Sequence, residues 1–321
     1  ETEIGLAEPL VIFRRADLHA FLLDRATGAG TDVVRERVVD FRRDRTRWTL
    51  TTGAGDARRE HGPFDFLIAA DGAGGFARRR LTHAVPSADL TQGLGYHVAD
   101  ASDDAVILRF YSGLDGYLWV FPRLDHASVG ICGGLGRRPA ADLYALVDRF
   151  VRERYGDRAL ARAERYAALI PASPAETDRI SVAGDGWALA GDCGQAVDPL
   201  TREGIYFAML SADLLADALL HGRPGEYPAA WRARMGEEFA WAARHAPAFF
   251  DPVFIERMVR LSRRSRSVRA TLADLISGRQ SYRTLKRRLL FQAPIVAWQA
   301  IRGAATAPVS SATAGTTIGS T

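Results

Sequence analysis

The sequence predicts an α/β protein in which an antiparallel sheet interrupts a parallel one and helices close the chain. Three observations predict it. Two short apolar runs, Phe64–Ala70 and Trp187–Gly191, each lead into a Gly/Asp turn, as buried parallel strands do. Between them lie four strand-like runs, Thr91–Val98, Ala105–Tyr111, Tyr117–Pro122 and Ala127–Cys132, joined by short polar or Gly-rich connections that suit antiparallel neighbours. Helical patterning then dominates from Glu203 to about Arg302.

Taken in order, Arg15–Arg25 carries Leu18, Phe21, Leu22 and Arg25 at i, i+3, i+4 and i+7, one face of an amphipathic helix that Gly28 and Gly30 end. Asp32–Phe41 and Arg47–Thr52 read as strands, and Gly53–Asp56 as the turn into a third. Phe64–Ala70 is a buried strand running into Asp71-Gly72. Asp142–Tyr155 is a second amphipathic helix, with Leu143, Leu146, Val147, Phe150 and Val151 on one side. The expected divisions are 1–90, 91–180 (the antiparallel sheet), 181–220 (return to the first domain), 221–305 (helical) and 306–321. That last stretch of Ser, Thr, Ala and Gly has the composition of a disordered tail.

The 321 residues are 47% hydrophobic and 25% charged, as in ordinary globular enzymes. No apolar run is long enough for a membrane span, and Glu1–Gly5 lacks the layout of a signal peptide. Cys132 and Cys193 are far apart, so a cytoplasmic chain without a disulfide framework or structural metal is expected. Charge is uneven: Glu256–Arg288 holds eleven Lys/Arg against two acids. This reads as solvated helix faces or as a basic surface for anionic lipid headgroups. Nucleic acid is not expected, because no recognition motif accompanies the charge.

The most informative stretch runs from Ala188 to Tyr206: an apolar strand, Gly191-Asp192, a turn with Pro199, then a helix beginning near Glu203-Gly204. A carboxylate at a strand end can accept hydrogen bonds from a cofactor's hydroxyls. A helix N-terminus stabilises negative charge on a reduced ring. Gly72-x-Gly74-x-x-Ala77 loosely matches a dinucleotide fingerprint, but Asp71 would face a pyrophosphate, and Pro86 breaks any helical continuation. Asp71 and Gly72 are better read as a second loop that meets a cofactor or locks a strand turn. Strand alternation puts Tyr117, Trp119 and Phe121 on one face, either an apolar wall for a substrate or core beneath a helix such as Asp142–Tyr155. His97 reads as structural before catalytic, Cys193 as a small buried residue and not a redox thiol. No Ser/His/Asp arrangement supports hydrolysis.

Together these motifs resemble the geranylgeranyl reductase family of flavin-dependent oxidoreductases. The resemblance rests on Asp71-Gly72-Ala-Gly-Gly-Phe-Ala-Arg-Arg, on Gly191-Asp192 through Gly204-Ile205, and on Tyr117-x-Trp119-x-Phe121-Pro122, and spans about Phe13 to Leu290. It implies an FAD-binding Rossmann-like domain, an inserted sheet that binds substrate, and reduction of isoprenoid C=C bonds by hydride from reduced flavin, with NADPH as reductant. It implies cofactor contacts by Arg15, the Val38 backbone, Asp71, Gly72, Gly191, Asp192, Pro199, Glu203, Gly204 and Ile205. A prenyl-lipid contact is implied for Tyr117, Trp119, Phe121 and Pro122. The family's first βαβ unit with its Gly-x-Gly-x-x-Gly loop is not in this sequence, which implies about 35–50 further N-terminal residues. Gln195 and Arg202 stand where the family has Gly, and both are expected to crowd the flavin or reshape the channel. Two other readings stay open: a monooxygenase or halogenase of the same superfamily, and a lipid-binding module without cofactor.

Overall fold

The computed structural model describes residues 2–8, 10–101 and 103–305, with side chains as far as residue 294. The tail expected at 306–321 lies outside the described residues. The described chain divides into two units: Leu10–Pro252, and the residues from Val253 onward together with the N-terminal stretch.

In the larger unit, helix α1 (Arg15–Gly28) forms as its periodicity predicts, but it has no buried residue; Phe21 is 57% exposed. Amphipathicity fixed the helix, yet its apolar face is half-buried only at Leu18 and stays exposed at Phe21 and Leu22. Strands β1 (Val38–Asp44), β2 (Arg47–Thr52) and β3 (Arg59–Phe64) make a small antiparallel sheet. The first strand begins at Val38 rather than Asp32, because pairing starts where Thr52 faces Val38. Phe64 belongs to β3, and the next strand, β4 (Leu67–Ala69), is shorter than the apolar run suggested.

The Asp71 loop departs from the expectation that Pro86 and the polar residues break the pattern before any helix forms. The chain does continue into a helix, α2 (Phe76–Leu81). The Asp71 carboxylate accepts a hydrogen bond from the Ala77 N–H at 2.7 Å, satisfying one of the donors that a helix start leaves open.

Strands β5 (Leu90–Ala99), β6 (Ile107–Arg109), β7 (Leu118–Pro122), β8 (His126–Gly134) and β9 (Glu164–Pro171) form one antiparallel sheet in the order β6-β7-β8-β5-β9. The sequence reading missed β9, whose alternation of Tyr166, Ala168 and Ile170 is its only strand signal. Helices α3 (Ala140–Tyr155) and α4 (Asp157–Arg162) precede it. Leu143, Val147 and Val151 of α3 pack on Leu118 and Val120, the even face of β7, and on Val129 and Ile131, which β8 brings to the same side through the cross-strand register. Burying these branched side chains removes apolar area from water at roughly 25 cal/mol per Å².

Strands β10 (Ala183–Gly184) and β11 (Trp187–Leu189) follow, and β11 pairs in parallel with β4. Helix α5 (Ile205–Leu220), α6 (Tyr227–Trp231), a π-turn over Arg232–Gly236 and α7 (Glu237–Phe249) build the core behind this sheet. There Leu215, Tyr227, Trp231 and Phe239 pack with Ala188.

The smaller unit contains α8 (Pro252–Arg264), α9 (Arg266–Ile276) and α10 (Tyr282–Ala305). Ser265 caps α9 by accepting from Val268 N. Asp274 of α9 pairs with Arg279 and with Arg288 of α10, at 3.1 and 2.7 Å. Among the described residues no helix is long and apolar enough to cross a membrane.

The two-faced sheet makes a stability prediction. Leu118→Ala, at a fully buried position, is expected to cost about 2–5 kcal/mol in urea unfolding. Leu108→Ala, on the exposed side of β6, is expected to change stability by about 0.5 kcal/mol or less. Equal effects would contradict the assignment of α3 to the Leu118 side of the sheet.

Candidate functional site

The parallel pairing of β4 with β11 sets two loops side by side, one after Ala69 and one after Leu189. In the second loop Gly191–Gly194 forms a 3-10 turn. Gly191 has φ +61° and donates its N–H to Ser211 Oγ at 2.8 Å. A Cβ there would stand 3.2 Å from the Ala208 methyl of α5. Glycine is therefore required both for the turn and for the approach of α5. Tyr227 donates its hydroxyl to Leu189 O and holds the strand end from behind.

Asp192 lies at the mouth of this turn. Burial raises its carboxyl above the usual carboxylate range, and Arg15 at the head of α1 opposes the rise. The structure thus brings Arg15 and Asp192 into electrostatic reach. Among the described residues the Asp192 carboxylate has no hydrogen-bond partner. Gly204 sits close by, where a Cβ would come within 3.2 Å of Asp192 Oδ1. Gly204 is the N-cap of α5 and offers no side chain to the first N–H groups of the helix. A carboxylate without a hydrogen-bond donor beside an uncapped helix start can take hydroxyl donors and an electron-rich ring together.

Between them Asp198 shapes the loop that contains Pro199. Its Oδ1 accepts from the N–H of Leu200 and Thr201, at 2.7 and 3.0 Å, and its own N–H donates to Glu203 O. Crowding by surrounding chain and the charge of Asp198 push the Glu203 carboxyl up. Ile205 is exposed at the first turn of α5.

Asp71 is exposed, but unlike that of Asp192 its carboxylate is already engaged by the protein. Asp71 is used on α2 and on the Cys193 thiol, which donates to its Oδ1 at 3.2 Å. Burial, with Asp71 beside it, pushes Cys193 up to about 12, so it stays a thiol at neutral pH. Val38 stands at the start of β1, exposed at its side chain.

Tyr117, immediately before β7, shares the odd face with Trp119 and Phe121 of that strand, away from α3, with successive ring centroids 6.1 and 6.2 Å apart. They are not core beneath that helix. The Tyr117 hydroxyl donates to Thr201 O, which ties the aromatic row to the loop of Pro199. Burial raises the Tyr117 pKa, so it remains a donor. Pro122 ends the strand. His97 is on the same face, with its pKa lowered by burial and by His126 and Arg123.

No family profile matches the chain. Digeranylgeranylglycerophospholipid reductase 2 of Methanothermobacter thermautotrophicus is 30% identical over 248 residues, covering 70% of this chain and 61% of the relative. A chloroplastic geranylgeranyl diphosphate reductase of Nicotiana tabacum is 28% identical over 242 residues, 67% of this chain and 48% of the relative. The chain is a homologue of geranylgeranyl reductases. It spans about half to three fifths of the length of the curated relatives it matches. A geranylgeranyl bacteriochlorophyll reductase-like protein of Thermoplasma acidophilum superposes with a TM-score of 0.63 at 18% identity, over 86% of this chain and 74% of that one. A flavin-dependent brominase gives 0.65 at 18%, over 92% and 78%. These likenesses show a shared α/β fold.

In this reductase homologue the two non-glycine positions keep a glycine-like backbone. Gln195 has φ +54° and Arg202 φ +58°. Left-handed backbone costs an L-residue about 1–2 kcal/mol. Gln195 does not crowd the Asp192 loop mouth. It is buried, donates to Ala172 O at 3.1 Å and accepts from Arg78 Nη2 at 2.8 Å. Arg78, itself fully buried, also donates to Cys193 O and His83 O. It thereby clips the helix after Asp71 to the turn after Gly191. Sequence reasoning quoted Arg78 without a role, since three successive arginines in α2 look alike until one is turned inward.

Asp192 makes a pH prediction. Its carboxyl is raised in the folded state above the ordinary 3.8, so its ionisation opposes folding. That penalty is absent below the ordinary value and grows as pH rises through the raised one. Asp192→Asn is therefore expected to raise the thermal midpoint of flavin-free protein at pH 7, with the gain vanishing toward pH 4. A variant less stable than wild type at pH 7 would contradict the assignment.

Proposed function

We propose that the chain forms the main part of an FAD-dependent reductase of isoprenoid C=C bonds, with NADPH as the external reductant. The observation that carries this reading is the hydrogen bond from Tyr117 to Thr201 O. It holds an aromatic, prenyl-compatible face against a loop suited to a flavin. The relatives' printed names, digeranylgeranylglycerophospholipid and geranylgeranyl diphosphate reductase, support the choice of substrate class.

The residues present fit an FAD. Asp192 offers an unpartnered carboxylate to its hydroxyls, Gly204 keeps that approach free of a side chain, and Gly191 permits the turn and the close packing of α5. The peptide N–H groups of Gly204 and Ile205 would face the ring edge where negative charge collects on reduction, while those of Leu200 to Glu203 are engaged within the loop and hold Pro199 in place. Arg15 would lie toward the dinucleotide end, with the Val38 backbone beyond it. Asp71 and Gly72 would act indirectly, by fixing the neighbouring loop. When bound, FAD supplies the hydride. The protein's part is to orient an apolar chain along Tyr117, Trp119, Phe121 and Pro122, to exclude water, and to stabilise charge.

The test is the visible spectrum of protein purified from its full reading frame. A flavin spectrum that bleaches anaerobically with NADPH is expected. Asp192→Ala should weaken FAD binding by about tenfold or more, the loss of one or two charge-assisted hydrogen bonds. Trp119→Ala should leave FAD binding unchanged and slow oxidation of the reduced flavin by a prenyl substrate. A folded, colourless protein that takes up no FAD would overturn the reading.

A peripheral membrane contact is part of the same proposal. On α10, Arg283, Lys286, Arg287, Leu290 and Phe291 line one patch at i, i+3, i+4, i+7 and i+8 spacing, with Leu290 66% and Phe291 72% exposed. Basic heads flanking exposed apolar side chains suit an anionic bilayer surface. Lys286→Glu with Arg287→Glu is expected to reduce co-sedimentation with vesicles rich in anionic lipid, by about fivefold for each positive charge removed. Equal binding to neutral vesicles would argue against the charge contribution.

A further inference from the structure

The Trp119 side of the five-stranded sheet changes character along its length. Cross-strand register places Trp119, Gly130, Gly95 and Tyr166 in one row and Phe121, Ser128, His97 and Glu164 in the next. The two glycines let the flanking rings lie flat on the sheet. A Cβ on Gly130 would come within 2.4 Å of the Trp119 indole and 2.5 Å of the Tyr166 hydroxyl. The strip starts at Tyr117, tied to Thr201, and ends beyond Pro122 at Arg123 and His126. Six residues of strand span about 20 Å.

That far end is polar and linked. Ser128 Oγ and the Tyr166 hydroxyl are 2.9 Å apart, and the His97 ring centroid lies 4.8 Å from that of Tyr166 and 5.2 Å from that of His126. His126 Nδ1 is 2.7 Å from Asp125 Oδ1, and its Nε2 is 3.0 Å from Arg123 Nη1. A neutral His126 that donates to Asp125 and accepts from Arg123 satisfies both distances.

Two nitrogens of this cluster are unsatisfied. Arg123 Nε and His97 Nδ1 are buried without a hydrogen-bond partner. Arg123 also makes no ion pair among the described residues, and burial holds its pKa down. The nearby acids do not answer it. Asp125 is engaged by His126 and, at 3.6 Å, by Arg14, while Glu164 is exposed on the edge strand opposite His97. A guanidinium partly withdrawn from water with an unmade hydrogen bond is a costly arrangement that an anion would relieve.

We propose that this end of the strip is a subsite for a phosphate-type anion, with Arg123 supplying the charge and His97 a ring nitrogen. The inference rests on the reductase reading and refines its substrate: an isoprenoid whose phosphate or diphosphate head sits at Arg123 while its chain runs along Phe121, Trp119 and Tyr117 toward the Asp192 loop. The diphosphate of the cofactor has the same chemistry and is the other possible source of the anion.

Calorimetric titration of the protein with inorganic pyrophosphate, and separately with FAD, tests this. Arg123→Gln is expected to weaken pyrophosphate binding by about tenfold or more, the loss of a charge-assisted contact, and Arg123→Lys to restore most of it. His97→Phe keeps the ring stack on Tyr166 and should weaken pyrophosphate binding without changing the thermal midpoint. Unchanged FAD affinity in Arg123→Gln assigns the subsite to the substrate's head; a parallel loss of FAD affinity assigns it to the cofactor's diphosphate. Pyrophosphate binding that is absent in wild type, or equal in wild type and folded Arg123→Gln, overturns the proposal. Because pyrophosphate binding is read without flavin or turnover, that failure leaves the reductase reading standing. A colourless protein that still binds pyrophosphate through Arg123 does the reverse.

Discussion

The candidate site depends on the parallel pairing of two three-residue strands, Leu67–Ala69 and Trp187–Leu189. They are far apart in sequence, and each is too short to be stable alone. Their register carries the Asp71 loop to the Gly191 turn. There the Arg78 guanidinium, fully buried, reaches Cys193 O and Gln195 Oε1. A buried cation that spends its donors on neutral oxygens holds its partners firmly, because an unmade bond in that setting costs more than one made in water. The clip holds the turn that carries Asp192, and the Gly191 N–H on Ser211 Oγ ties that turn to α5.

The large antiparallel sheet divides two tasks between its faces. Leu118, Val120, Val129 and Ile131 bury against α3 and supply stability. The other face carries Tyr117, Trp119, Phe121 and Tyr166, with glycines at 95 and 130 where the rings must lie flat. The same alternation therefore yields a packed core and an aromatic surface. The Tyr117–Thr201 hydrogen bond joins that surface to the cofactor-type loop.

Gln195 and Arg202 show how a local rule can be broken and sustained. Both hold left-handed backbone without being glycine. At Gln195 the conformational cost is offset by three anchored groups: its side-chain oxygen on Arg78, its side-chain nitrogen on Ala172 O, and its carbonyl on Ser173 Oγ. The side chain points into protein and away from the loop mouth, the opposite of what its size suggested. At Arg202 the Nε is buried without a partner, and nothing in the structure explains the residue.

The sequence by itself determined the element types and the motifs. Alternation announced β7 and β8, i, i+3, i+4 spacing announced α1 and α3, and Gly191-Asp192 through Gly204-Ile205 announced a strand, turn and helix start. These signals are local, because helix and strand periods are written in neighbouring residues. Tertiary structure alone decided what each face meets. It left the apolar side of α1 exposed at Phe21 and Leu22, and it put α3 on the Leu118 side of the sheet so that the aromatics were free. It gave α2 its N-terminal acceptor in Asp71, recruited the weakly patterned Glu164–Pro171 as an edge strand, and turned one of three arginines inward. None of these could be read from composition or spacing. Each depends on which distant backbone or side-chain group lies within hydrogen-bond or packing distance, and only the folded chain sets that distance.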